Sequence, residues 1–204
     1  MRITSLRQVT AEHVTVVFDE GTEVKSTLGT VTELRLFAGR ELNGQDLEIL
    51  SRQSRRALAR EKALELVSQR QMSAKELSKK LRDKGADEDT ADYCVRWILE
   101  RGLLDEERYA AAIVRHYSAK GYGAGRLRQE LQKRGIPREL MDEALEERPR
   151  DTEKLDSFVA ARLKEPDDRD AVRKLSAALY RRGYSAEEIR GALERARAAY
   201  DYEE

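Results

Sequence analysis

"KELSKKLRDKG", residues 75–85, returns as "GRLRQELQKRG" at 125–135 and more loosely as "RKLSAALYRRG" at 173–183, so the closing glycines Gly85, Gly135 and Gly183 recur about every 50 residues. In each copy a leucine stands four and eight residues before the glycine: Leu77 and Leu81, Leu127 and Leu131, Leu175 and Leu179. Residues i and i+4 lie one turn apart on one helix face, so these pairs predict the buried stripe of a short amphipathic helix. The glycine ends it, because glycine takes the left-handed conformation without steric penalty. The basic residue before each glycine, Lys84, Arg134 or Arg182, suits the negative end of the helix dipole.

The correspondence runs on past the glycine. Ala91, Met141 and Ile189 stand six residues beyond it, Cys94, Ala144 and Ala192 nine, and Val95, Leu145 and Leu193 ten, which marks the apolar face of a following helix. Upstream of each phrase lies another helical stretch, "RRALAREKALELVSQR" from 55, "DEERYAAAIVRHYSAK" from 105 and "TEKLDSFVAARLKE" from 152. Each module therefore reads helix, helix, glycine cap, helix. Such a unit buries its apolar face poorly alone and shares a core with stacked neighbours. The predicted divisions are a β-rich appendage over 1–50 and helical repeats over 51–102, 103–148 and 149–204.

The rest of the composition agrees. Of 204 residues, 40% are hydrophobic and 38% charged, with only three prolines, which favours an extended modular helical molecule over a sphere. Nothing approaches the roughly 20 apolar residues needed to span a bilayer, and "MRITSLRQVTAEHV" lacks a signal-peptide core, so a soluble, cytoplasmic protein with no membrane contact is expected. The single cysteine, Cys94, falls on a repeat core position and is read as a buried structural thiol. Basic and acidic residues balance at 39 each, and only the stretch 51–104 is clearly net positive. Within each module the middle helix gathers the cations: Lys75, Lys79, Lys80, Arg82 and Lys84; Arg126, Arg128, Lys133 and Arg134; Arg173, Lys174, Arg181 and Arg182. Stacked along one edge, they would form a discontinuous basic strip.

The N-terminal residues are of another kind. "HVTVVFDEGTEVKST" alternates β-branched and polar residues around a turn at Asp19, Glu20 and Gly21, with "RITSLRQV" as a third strand. So few strands need support, supplied either by a short helix over 30–37 or by the long one starting near Asp46 after a turn at Asn43 and Gly44.

Chemistry is scarce. His13 and His116 have no neighbours at metal-ligand spacing, so neither a metal nor a cofactor is expected, and no enzyme. The acidic groups at 105–107, 87–92 and 166–170 open helices, where carboxylates cap amides. "KGYGAGR", 120–126, imitates a phosphate loop, but it follows a helix and lacks the Gly-Lys-Ser/Thr ending. It reads either as a tight turn joining the first and second helices of the second module or as a turn that exposes Tyr122, Arg126 and Arg128 to a partner. Trp97 reads as a partly buried packing residue.

"ALAREKALELVSQRQMSAKELSKKLRDKG", "RGLLDEERYAAAIVRHYSAKGYGAGRLRQELQKRGIPRELMDEAL" and "ALYRRGYSAEEIRGAL" together resemble the RecX family of bacterial recombinase regulators, in order, over about residues 56–195. The β-rich N-terminus resembles an extension carried by some members only. The resemblance implies three tandem three-helix modules in a curved, elongated array. It also implies a partner, the RecA recombinase as a filament on single-stranded DNA, with the regulator curbing filament growth, ATP hydrolysis, strand exchange and coprotease activity in DNA repair, homologous recombination and the SOS response. On charge and the turn alone, the expected partner or DNA contacts are Tyr122, Arg126, Arg128, Lys133 and Arg134 of the second module with Lys79, Lys80 and Arg82 of the first. Direct DNA contact would be weak and the protein a monomer. The alternative is a general helical nucleic-acid-binding protein that competes for DNA. On this reading Arg126→Ala with Arg128→Ala leaves thermal stability nearly unchanged.

Overall fold

The computed structural model describes residues 1–148, 152–165 and 168–203, with side chains through Tyr200. It is mostly helical, with a small N-terminal sheet. The chain divides into two compact units, Met1–Leu104 and Asp105–Glu204.

In the first unit, β1 (Ile3–Gln8), β2 (His13–Phe18) and β3 (Glu23–Thr27) form an antiparallel meander in the order 1-2-3, with Val16 opposite both Leu6 and Val24. Val14, Val16 and Phe18 of β2 are buried, while most of β1 beyond Ile3 faces out. The short helix α1 (Leu28–Glu33) begins and ends earlier than the expected 30–37. Thr27 caps it by accepting the Thr30 amide, and Arg35, left-handed at φ 50°, turns the chain away after Leu34.

The support for the sheet is α2 (Gly44–Gln69), opened by a capping box in which Asn43 accepts the Asp46 amide and Asp46 accepts that of Asn43. At 1.5 Å per residue its 26 residues run about 39 Å. Its first half serves the sheet, with Leu50 buried among Ile3, Val16 and Phe18 and the Ser54 hydroxyl donating to that of Ser26 at 2.8 Å, and farther along Glu61 still meets His13 Nε2 at 2.7 Å. Its second half places Ala63 and Leu66 in the first helical core with α3 (Ala74–Asp83) and α4 (Glu88–Glu100). The expected boundary between 50 and 51 therefore falls inside a continuous helix. One element has two apolar faces to satisfy, and nothing in its sequence interrupts it.

The second unit holds α5 (Glu106–Ala119), α6 (Ala124–Arg134) and α7 (Arg138–Glu146), then α8 (Thr152–Ala160), α9 (Arg169–Arg181) and α10 (Ala186–Glu203). The expected start of the last repeat at 149 lies outside the described residues, as do Pro166 and Asp167 of the acidic stretch. Asp87, Asp105 and Asp168 cap α4, α5 and α9 through their side chains.

The repeat is visible in the cores. All six phrase leucines are buried, as are Ala91, Cys94, Met141, Ala144, Ile189 and Ala192, each within the core of its own module. Each buried leucine contributes about 1.5–3 kcal/mol. Gly85, Gly135 and Gly183 all have positive φ, 95°, 73° and 89°. The residue after each glycine donates its amide to the second leucine's carbonyl: Ala86 to Leu81, Ile136 to Leu131, Tyr184 to Leu179. That is the six-to-one bond of a glycine-closed helix end. It throws Ile136 and Tyr184 back onto their cores.

The turn before α6 is more than a turn. The Gly123 amide donates to the Arg182 carbonyl and the Gly125 amide to that of Gly183, both at 2.9 Å, so the backbones of the second and third modules lie against each other. A Cβ on Gly123 would stand 2.3 Å from the Gly183 oxygen, and one on Gly183 2.1 Å from the Arg126 nitrogen. The same position in the first module, Gly85, has open space around it.

Leu131→Ala should cost about 2–5 kcal/mol, and Leu131→Asp should unfold the second unit in a thermal melt; a normally folded Asp variant would refute the register. Gly85→Ala should lose only the roughly 1–2 kcal/mol of left-handed strain. Gly123→Ala and Gly183→Ala should each lose clearly more in urea unfolding, and three equal losses would mean that the modules do not dock by backbone contact.

Candidate partner-binding surface

α3 and α6 turn their leucines inward and their cations outward. In α3 a capping box between Ser73 and Glu76 fixes the helix start, and burial of Leu77 and Leu81 leaves Lys79 and Arg82 exposed and Lys80 half-buried. In α6, Leu127 and Leu131 are buried and Arg128 and Lys133 exposed. Among the described residues, Lys79, Lys80, Arg82 and Lys133 make no ion pair. Arg128 Nη1 meets Asp142 Oδ1 at 2.7 Å across to α7.

The other three expected contact residues are turned toward the protein itself. Glu130, only 5% exposed, lies in α6 between Arg126 and Arg134. Arg126 Nη2 meets its Oε1 at 2.8 Å, Arg134 Nη1 its Oε2 at 2.6 Å, and the Tyr117 hydroxyl donates to Oε2 at 3.0 Å. The Arg134 hydrogen bond, joined by that of Tyr117, outweighs burial and holds the Glu130 carboxyl below its ordinary value. Tyr122 is half-buried, its ring 5.8 Å from that of Tyr117 and 5.3 Å from the Arg182 guanidinium. Of the three residues expected on display, Arg126 and Arg128 each pair with a carboxylate while their side chains stay 42% and 49% exposed, and Tyr122 is half-buried. Tyr122 is covered by the third module's Arg182, and the buried charge of Glu130 recruits Arg126. Stability after Arg126→Ala is accordingly no longer expected to be unchanged. The i, i+4, i+8 spacing of Arg126, Glu130 and Arg134 is a readable sign of such a pairing.

A second feature lies on α4. The Arg56 guanidinium stands 4.2 Å above the Tyr93 ring, and those of Arg101 and Arg60 stand 4.2 Å and 5.5 Å from the half-buried Trp97. Cys94 is fully buried beneath this face, and burial, only partly offset by Arg60 and Arg56, pushes its thiol up to about 11, which makes it a structural thiol. Among the described residues no group of three or more His, Cys, Asp or Glu side chains is arranged to hold a metal ion, and no helix is long and apolar enough to cross a membrane.

Family models described as the first, second and third three-helix domains of RecX match residues 59–96, 105–145 and 160–193. The regulatory protein RecX of Vibrio parahaemolyticus serotype O3:K6 is 32% identical over 146 residues, 70% of this chain and 94% of its own length. The chain belongs to the RecX family. The regulatory protein RecX of Pseudomonas entomophila is likewise 34% identical over 152 residues, covering 70% of this chain and 93% of the relative. A crystal structure of regulatory protein RecX superposes with a TM-score of 0.73 at 21% identity, over 93% of this chain and 97% of that one. RecX from Lactobacillus salivarius gives 0.63 at 22% identity, over 71% and 97%. These two likenesses concern the fold.

Glu130→Gln should lower stability by about 1–3 kcal/mol, because it leaves two guanidinium groups underpaired while both still reach solvent. A lowered folded-state value means that this contribution is complete above the ordinary carboxylate range and is lost as the pH falls below 4.5. Wild type and variant should therefore converge in acid, and a difference that persists there would refute the pairing.

Proposed function

We propose that this RecX-family chain is a negative modulator of the RecA recombinase, one that binds the RecA–single-stranded DNA filament and inhibits its growth, ATP hydrolysis, strand exchange and coprotease activity. The observation that carries the reading is the ordered match of all three RecX domains, alongside relatives whose name is regulatory protein RecX. The physical form supports it. Tandem modules present repeated helix faces rather than a convergent set of reacting groups, and several weak contacts on a polymeric partner gain through effective concentration, so zero net charge is no obstacle.

In this reading Lys79, Lys80, Arg82, Arg128 and Lys133 make the outward contacts. Tyr122, Arg126 and Arg134 keep α6 in place beneath them. Protein contacts dominate, with weak phosphate contact to DNA, and the chain acts as a cytoplasmic monomer without a cofactor and without catalysing a reaction. The basic face of α3 also favours a second reading, general nucleic-acid binding that inhibits by competition for DNA.

The experiment is RecA ATP hydrolysis on single-stranded DNA with this protein titrated in, beside its binding to the same DNA without RecA. Inhibition well below the concentration that coats bare DNA is expected. Inhibition only at saturation of the bare DNA would replace the modulator by the competitor. Joint substitution of Lys79, Lys80 and Arg82 by Ala should weaken inhibition about tenfold at an unchanged melting temperature. Unaltered inhibition would remove all three from the contact set.

A further inference from the structure

The seam inside the second unit has a counterpart in the first module. Aligned on their glycines, Leu81, Lys84, Gly85 and Ala86 stand where Leu179, Arg182, Gly183 and Tyr184 stand. In the third module this stretch is a seat for another backbone. The Arg182 and Gly183 carbonyls accept the Gly123 and Gly125 amides, and the Arg182 guanidinium reaches the Lys120 and Gly121 carbonyls. A Cβ on Gly183 would stand 2.1 Å from the Arg126 nitrogen, so the fit needs a bare glycine. What fills the seat is the turn that opens α6: the carbonyl end of α9 meets the amide end of α6, and the two helix dipoles run head to tail.

The first module holds the same set. Gly85 has the same left-handed backbone, φ 95° against 89°, and the same amide return from the residue after it. Lys84 and Gly85 are exposed, and among the described residues nothing donates to either carbonyl. The space where a Gly85 Cβ would stand is open. Beside it runs a groove of about 480 Å³ with Leu58, Ala59, Leu81 and Ala86 along it. Ala86 is small where the third module has Tyr184, which leaves room for an incoming side chain. Of the cations at the rim, Arg55 pairs with Asp87 at 3.4 Å and Lys62 with Glu65. Lys84, at the Arg182 position, makes no ion pair among the described residues. Two carbonyls, a bare glycine and an uncommitted cation are what the third module uses to hold the α6 turn.

We propose that the Gly85 groove is a docking site for a glycine-bearing, helix-opening turn of a partner protein, held main chain to main chain as the third module holds Gly123 and Gly125. Two amides of that turn bond the Lys84 and Gly85 carbonyls, and the Lys84 ammonium reaches the carbonyls just before it. The side chain preceding its first glycine, where Tyr122 precedes Gly123, enters the groove over Ala86. The partner must itself carry glycine there, since a Cβ on Gly123 would stand 2.3 Å from the Gly183 oxygen. This chain's own turn of that kind is taken within the second unit, which makes the occupant a segment of another protein. The proposal does not rest on the RecA reading and survives its failure.

The test uses the full chain, isotope-labelled for NMR, and a peptide of residues 119–135 stapled between positions 128 and 132 so that its helix is formed before binding. The amide resonances of Gly85, Ala86 and Thr90 should shift saturably as the peptide is added. Gly85→Ala in the chain and Gly123→Ala in the peptide should each weaken the apparent affinity by about tenfold or more. Gly85→Ala meets open space in the chain itself and keeps its fold, so a loss of binding reads the seat and not unfolding. Shifts that are absent, that survive both substitutions, or that fall around Gly183 because the peptide displaces the chain's own turn would overturn the site. Sedimentation of the wild-type chain as a dimer and of Gly85→Ala as a monomer would overturn it as well, since the occupant would then be a second copy.

Discussion

The left-handed glycine after the second helix of each module is the constraint on which the helical part of this protein rests. It lets the helix end within one residue, returns the amide of the next residue to the second leucine's carbonyl, and sends the chain into the third helix over the same core. A residue with a Cβ at that position would either strain the backbone or extend the helix past the point where Ile136 or Tyr184 must turn inward. Placement of the leucine pair before the glycine and of the small or aliphatic residues after it are two halves of one geometric requirement. That is why they repeat together in a sequence that otherwise drifts freely.

In the third module the same glycine has a second use. Gly183 meets Gly123 and Gly125 main chain to main chain, so the seam of the second unit is set by peptide groups and not by side chains that might rotate. Arg182 fastens the seam from outside, its guanidinium donating to the Lys120 and Gly121 carbonyls and lying near the Tyr122 and Phe158 rings. The cations of the middle helices are accordingly not equivalent. Those at the seam, together with Arg126 and Arg134 around Glu130, hold the structure together, whereas Lys79 and Arg82 of α3 and Lys133 of α6 face solvent.

What was legible in the sequence follows from this difference. The six leucines, three glycines and three-strand meander were readable because helix and strand periods and the steric freedom of glycine are local properties. The extent of α2 was legible only in part, since it serves two cores and no local signal marks where one ends. Contact residues were read from charge and from a turn, and charge does not distinguish a solvated arginine from one bound to a buried carboxylate. Lys79, Arg82 and Lys133 are exposed, Lys80 is half-buried, and Arg128 is exposed but paired with Asp142. Tyr122, Arg126 and Arg134 are engaged within the protein, by Glu130 in the same helix and by Arg182 some 60 residues away in the chain. The use of the Gly-x-Gly pattern as a seat for another backbone shows only once Gly183 of the third module is seen against it.

The double duty of α2 has a kinetic consequence. Starting a helix is the slow and unfavourable part of making one, and extending it is fast. Chain growth proceeds from the N-terminus, so the meander and the first turns of α2 can pack around Leu50 before residues beyond 69 exist. When α3 and α4 follow, the turn bearing Ala63 and Leu66 is already wound and waiting for them. The small sheet is thus placed to hold the start of the helix on which the first helical module is built, although it contributes no residue to that module's core.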